Sequence, residues 1–261
     1  MSFKSDFPIL KNKVREYPIT YLDSAASTQK PQEVINSISE FYQNSYENVH
    51  RGMNTLSIKA TDMFERAREN VRSFINANSI NEVIFTAGAT DSINKISQCL
   101  PQILNEGDKI VITELEHHSN YLPWLQIAKK FNFVIEIVGV NENGNVIEQD
   151  IIKACDQSTK FLALTHMSNV TGQIIDIKKI KENISNDILI AVDGCQSIAH
   201  INIDVQDLGC DFYSFSSHKL YGPSGIGIMF GKEQLLESLE PPSLGGGMIN
   251  NVSLDSFSYA M

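Results

Sequence analysis

DFYSFSSHKLYGPSGIG, from Asp211 to Gly227, is the stretch on which the fold turns. Its opening, with Phe212, Tyr213 and Phe215, reads as a short apolar strand. It ends in Ser216, Ser217, His218 and Lys219 and passes at once into a turn punctuated by Pro223 and glycines. In an α/β sheet, the position just past a strand's carboxyl end faces the crevice where ligands bind. A lysine there can serve as a nucleophilic amine rather than a solvated surface charge. The hydroxyls of Ser216 and Ser217 and the imidazole of His218 can hold an anion beside it. Taken alone, the pattern fits a surface lysine after a strand equally well.

A second stretch separates the two readings. DILIAVDGCQ, 187–196, is a continuous apolar run with Asp193 and Gln196 just past its end, as a parallel strand buried on both faces reads. If this strand and 211–215 are near neighbours in one parallel sheet, Asp193 and Lys219 point into the same crevice. A carboxylate and an amine converging there match the needs of pyridoxal phosphate. The lysine condenses with its aldehyde, and the carboxylate keeps the pyridine nitrogen protonated so that the ring accepts electrons. A charge-assisted hydrogen bond of roughly 1.5–3 kcal/mol shifts that protonation by about one to two pKa units.

Composition narrows the partners. With 21 basic and 31 acidic residues and a net charge of −10, the chain is not expected to bind nucleic acid or anionic membranes. Small molecules and proteins are the expected partners. No apolar run is long enough to span a membrane, and the first twenty residues carry no signal-like apolar region, so a cytoplasmic location is expected. The 261 residues allow one or two domains. Cys99, Cys155, Cys195 and Cys210 show no CxxC spacing, and the six histidines include no HExxH, so neither a disulfide nor a metal site is expected. Cys195, between Asp193 and Gln196, fits either a small buried residue or a neighbour of the cofactor.

Outward from these strands the chain alternates. Pro31 suits the first turn of a helix whose Val34, Ile35, Ile38, Phe41 and Tyr42 form one stripe. A second helical pattern runs over about 56–75 through Ile58, Met63, Phe64, Ala67, Val71 and Phe74; both stripes are expected to face the core. Strands are expected at EVIFTAG (82–88), 109–113, 133–139, 160–165, 188–192, 211–215 and 225–230, with helices from about Thr90 and over about 120–131, 146–155 and 176–183. This predicts an α/β fold, a mainly parallel sheet with helices on both faces.

Polar residues collect at the strand ends. In TAGATDSIN, 86–94, the chain leaves a strand through Gly88 and enters a helix near Thr90, where amides and a hydroxyl suit either a phosphate or a plain helix cap. His117 and His118 lie between a strand and a helix. Asn169 and Gln196 place two amides at two further strand ends.

Together DGCQS (193–197), SSHKLYGPSGIG (216–227), YLDSAAS (21–27), VHRG (49–52), EHHSNYLPW (116–124) and HMSNVTG (166–172) resemble the cysteine desulfurases of the SufS type, class V enzymes of the fold type I pyridoxal-phosphate group. The resemblance covers about Tyr21 to the last residue and implies pyridoxal 5′-phosphate on Lys219. It implies His117 stacked on the ring and positioned for proton transfer, with Asp193 at the ring nitrogen. Asn169 and Gln196 would lie near the phenolic oxygen, and Thr90, Ser216 and His218 at the phosphate; similar enzymes carry a second threonine where this chain has Ala89. The implied reaction removes sulfur from L-cysteine, giving alanine and an enzyme persulfide for iron–sulfur cluster assembly, in a homodimer that passes sulfur to an acceptor protein. The family's persulfide cysteine and carboxylate-binding arginine lie well beyond the lysine motif, and none of the four cysteines here matches. The chain is therefore expected to be a large cofactor domain over 21–261, incomplete at its C-terminal end, with 1–20 belonging to a small domain. By itself it is expected to be inactive. A selenocysteine lyase acting on L-selenocysteine, another class V enzyme, or a non-catalytic binding or dimerisation module of the same fold are the alternatives.

Overall fold

The computed structural model describes residues 3–50 and 52–259. Arg51 of the VHRG motif lies outside the described residues. After two short turns, a small hairpin pairs β1 (Lys13–Val14) with β2 (Tyr17–Pro18). Two helices follow, α1 (Gln32–Asn44) and α2 (Thr55–Phe74), the second capped by Asn54, whose side chain accepts from the Ser57 amide. The alternating part begins with β3 (Val83–Thr86) and α3 (Ala89–Cys99). It continues through β4 (Lys109–Thr113), α4 (Leu122–Phe131), β5 (Val134–Val138), α5 (Glu148–Ala154), β6 (Thr159–Thr165), α6 (Ile177–Glu182), β7 (Leu189–Asp193), α7 (Val205–Leu208), β8 (Phe212–Ser216), β9 (Gly227–Gly231) and α8 (Glu233–Glu237). A second hairpin, β10 (Ile249–Val252) with β11 (Phe257–Tyr259), follows.

Seven strands form one sheet in the order β3-β9-β8-β7-β6-β4-β5. All its pairings are parallel except those of β9, which runs against both β3 and β8. The orientation of β9 follows from its connection, since a parallel return needs a crossover of a dozen or more residues. Residues 217–226 supply only a tight turn, so the chain doubles back.

Side chains alternate across the sheet with period two. Val111, Leu162, Leu164, Ile190, Val192, Tyr213 and Phe215 face α5, α6 and α7, where Ile151, Ile177, Ile180 and Val205 complete one buried layer. Ile110, Ile112, Phe161, Ala163, Ala191 and Phe212 face α3 and α4, meeting Ile93, Ile96, Trp124 and Ile127. The apolar strands predicted from sequence therefore lie between helices on both faces.

The stripes on α1 and α2 depart from expectation. No residue of α1 is buried; Ile35, Ile38 and Tyr42 are 39%, 40% and 66% exposed. Phe41, Tyr42 and Tyr46 meet one another in edge-on and tilted ring contacts instead. In α2 only Ser57 and Ala60 are buried, Val71 reaches the core edge, and Ile58 and Phe74 are exposed. Helical periodicity reports that an apolar face exists, not what covers it. The α1 face lies outside the two layers that flank the sheet, while α2 meets the edge of one of them through Val71 and through Phe64 on Phe85.

Candidate active site

Parallel strands β6, β7 and β8 bring their carboxyl ends together. Thr165 pairs in register with Asp193, and Asp193 with Ser214, so three side chains stand abreast on one face. Beyond them opens a cavity of about 490 Å³ lined by Asp23, Ala25, Ala26, Ala89, Thr90, His117, Ser119, Asn169, Asp193, Cys195, Ser216, His218 and Lys219. Seven of the eight residues singled out from sequence, all but Gln196, meet here. Gln196 is buried beside the cavity, and its Nε2 donates to the Ala25 carbonyl at 2.8 Å.

Lys219 closes a short helical turn, Ser217–Lys219, that follows β8. It is half-buried, and its amine makes no hydrogen bond or ion pair among the described residues. The turn is clamped through one carbonyl: His218 O accepts from Thr28 N at 2.9 Å, Thr28 Oγ1 at 2.9 Å and Lys30 Nζ at 3.1 Å. Thr28 Oγ1 also accepts from Tyr221 N at 2.8 Å, and His218 Nδ1 lies 3.2 Å from Ser27 Oγ. Burial, then the charges of Lys219 and Lys30, lower the His218 pKa. Asp193 is buried; its Oδ1 accepts from Cys195 N at 2.9 Å.

At the opposite wall, α3 starts at Gly88 with no side-chain cap. Ser216 Oγ accepts from Ala89 N at 2.8 Å and thereby ties β8 to the start of α3. Gly227 allows the approach, since a Cβ there would lie 2.4 Å from the Gly88 backbone. Thr90 Oγ1 is 2.8 Å from Ser119 Oγ. An uncapped helix start with hydroxyls around it is an anion-binding arrangement.

His117 caps the turn before α4, its Nδ1 accepting from Ser119 N at 3.1 Å. Burial and the Lys219 charge lower its pKa, with Asp193 opposing. His118 faces its neighbour's ring at 6.0 Å but does not line the cavity. Beneath, Glu116 is buried and accepts from Thr113 Oγ1 at 2.8 Å and Asn120 Nδ2 at 2.5 Å, while Trp124 Nε1 donates to Asn120 Oδ1 at 3.0 Å. Burial pushes Glu116 up to about 8 against these donors.

Asp23, Ala25, Ala26 and Ser119 were not foreseen as lining residues. Their signal was present in YLDSAAS and EHHSNYLPW, where small and polar residues replace the apolar periodicity on either side. Tyr21 folds the first of these loops by donating to Ser27 O at 2.5 Å. Among the described residues no cluster of metal-ligating side chains occurs, and no helix is long and apolar enough to cross a membrane.

Residues 20–261 match the aminotransferase class-V family. A probable cysteine desulfurase of Halalkalibacterium halodurans is 45% identical over 253 residues, 96% of this chain and 62% of that protein. A cysteine desulfurase of Pectobacterium carotovorum is 44% identical over the same shares. Among solved structures, the apo cysteine desulfurase of Thermococcus onnurineus superposes with a TM-score of 0.92 at 34% identity, covering 98% of this chain and 63% of that one. The cysteine desulfurase CsdA of Escherichia coli gives 0.88 at 37%, covering 99% and 64%. The chain thus spans somewhat less than two thirds of the relatives it matches. It belongs to the class-V aminotransferase family.

Proposed function

We propose that residues 21–261 form the cofactor-binding part of a pyridoxal-phosphate-dependent cysteine desulfurase that acts on L-cysteine and supplies sulfur for iron–sulfur cluster assembly. The observation that carries this reading is Lys219. Its amine has no partner among the described residues and shares one cavity with Asp193, in a chain 45% identical to a probable cysteine desulfurase. A further neighbour by fold, 27% identical with a TM-score of 0.79, is described as SspA in complex with cysteine.

The donor set fits the cofactor. Among side-chain atoms fully shielded from solvent, Ser214 Oγ and His166 Nδ1 lack hydrogen-bond partners. Both residues adjoin Asp193, Ser214 as its register partner and His166 through its amide on the Asp193 carbonyl at 2.9 Å. The polar groups around Asp193 are thus not saturated by the protein. Bound pyridoxal phosphate supplies an aldehyde for Lys219 and a ring that accepts electrons. Asp193, fixed through Oδ1 by the Cys195 amide, would be the carboxylate that keeps the ring nitrogen protonated. Ser216 accepts from Ala89 N and so keeps its own hydrogen to donate to the phosphate, beside Thr90, His218 and the start of α3. His117 would cover the ring face, and Asn169 would stand at the phenolic edge. Gln196 acts from one remove by holding the Asp23–Ser27 loop over the site. The exposed faces of α1 and α2 suit a homodimer contact, and a sulfur-acceptor protein completes the set of partners.

Borohydride reduction of the protein mixed with pyridoxal phosphate, followed by peptide mass mapping, tests this. The adduct is expected on Lys219. An adduct spread over surface lysines, or visible absorbance that survives Lys219→Ala, overturns the assignment.

A further inference from the structure

His117 does two things in one turn. Its ring lines the cavity, and its Nδ1 is the acceptor that caps the turn leading into α4. A neutral imidazole carries one N–H and one lone pair, and the partner of one nitrogen fixes the role of the other. Ser119 N donates to Nδ1 at 3.1 Å, so in the neutral ring the proton resides on Nε2. Nε2 has no hydrogen-bond partner among the described residues, which leaves it free for whatever enters the cavity.

Ser119 is itself held in place. Its hydroxyl lies 2.8 Å from Thr90 Oγ1 at the start of α3, and its neighbour Asn120 bonds the buried Glu116 carboxyl at 2.5 Å. The amide that occupies Nδ1 is therefore anchored from the anion end of the cavity and from the layer beneath.

We propose that Ser119 is a positioning residue that locks His117 as its Nε2–H tautomer, so that this ring meets a bound ligand as a hydrogen-bond donor through Nε2. To take up a proton, the ring has to surrender Nδ1 from the Ser119 amide. Its basicity is thus coupled to the opening of the turn before α4. The groups that face the ring act together with this bond: burial, Lys219 and His118 disfavour the imidazolium, while Asp193 favours it. The inference rests on the cavity being the cofactor site only for its catalytic meaning. The tautomer itself is a property of the protein without ligand.

The test is nitrogen NMR of ¹⁵N-histidine-labelled protein free of cofactor, with His117 assigned by the signal lost in His117→Gln. Near neutral pH the expected spectrum has a protonated Nε2 and a bare Nδ1. One neutral hydrogen bond biases such an equilibrium about tenfold. Ser119→Ala keeps the amide and is expected to keep the tautomer. Ser119→Pro removes the donor and is expected to mix the tautomers and raise the His117 pKa. A wild-type ring protonated at Nδ1, or fully protonated at neutral pH, overturns the proposal without any variant. So does a folded Ser119→Pro protein with an unchanged ring. If the tautomer is as stated but no adduct forms on Lys219, the functional reading falls and this one stands.

Discussion

Two lysines stand at opposite ends of the sheet, and their surroundings differ in kind. Lys109, at the start of β4, is buried with its amine on Glu136 Oε2 at 2.6 Å, Asp156 Oδ2 at 2.8 Å and the Ala154 carbonyl at 2.7 Å. All three hydrogens are used, and the two carboxylates raise its pKa although burial opposes them. Lys219, past the end of β8, has no such partner among the described residues and opens on a cavity. A saturated ammonium is a fastening. An unsaturated amine beside an anion-binding helix start is available for chemistry. Burial alone would have selected Lys109.

Exchanging each side chain breaks the comparison most directly. Lys219→Ala is expected to abolish the borohydride-trapped adduct while changing stability by no more than about 0.5 kcal/mol, because no ion pair is lost. Lys109→Met is expected to leave the adduct on Lys219 and to cost about 2 kcal/mol in urea unfolding. That is less than for a fully buried pair, because Glu136 and Asp156 are partly solvated. If Lys109→Met loses the adduct in a folded protein, the two ends are not independent.

Each lysine also has a cysteine near it, and neither becomes a thiolate. Burial pushes Cys155 up to about 11 despite Lys109, and burial with Asp193 raises Cys195 far more despite Lys219. Cys210 is pushed up to about 12 by burial, and Cys99 is raised likewise. A thiol that stays protonated is a poor nucleophile. The 261-residue polypeptide, given cysteine, cofactor and reductant, is expected to produce no alanine and sulfide above a Lys219→Ala control. Turnover above that control would contradict it and make Cys195 the first residue to replace.

The sheet was legible because strands buried on both faces are long apolar runs, and their ends are marked by a sudden change to Asp193, Gln196, Ser216 and Lys219. The cavity was largely legible for the same reason: chemistry-bearing residues sit where periodicity stops. The clamp from Ser27, Thr28 and Lys30 onto His218 was not, because it joins segments about 190 residues apart through one backbone carbonyl, which leaves no pattern in side-chain order. The exposure of α1 was not legible either. An apolar stripe reads alike whether its cover belongs to the same chain or to another.

The layer under His117 sharpens the comparison through pH. Glu116 has its folded pKa raised from 4.5 to about 8, chiefly by burial. A carboxyl raised in the folded state favours folding below its unfolded pKa, and this contribution declines as pH rises toward the folded value. Wild-type stability is therefore expected to fall between about pH 4.5 and 8, and Glu116→Gln to flatten that decline. Equal slopes for the two proteins across this window would mean that the carboxyl is ionised throughout.

The smallest effect belongs to the saturated end. Asp156 is held below the usual carboxylate range by its hydrogen bond from Lys109, then by those from Ser158. A depressed carboxyl contributes stability above its unfolded pKa, near 3.8, and that contribution is lost as pH falls through the folded value. Lys109, raised above 10.5, contributes below that value and loses its share only in strong alkali. Between these limits the pair is fully formed, so Asp156→Asn is expected to lower the melting temperature at neutral pH and to lie parallel to wild type down to about pH 4. Below that the wild type should fall more steeply and the two curves should converge. Convergence below about pH 4 would show the Lys109 end held as a fastening by its carboxylates.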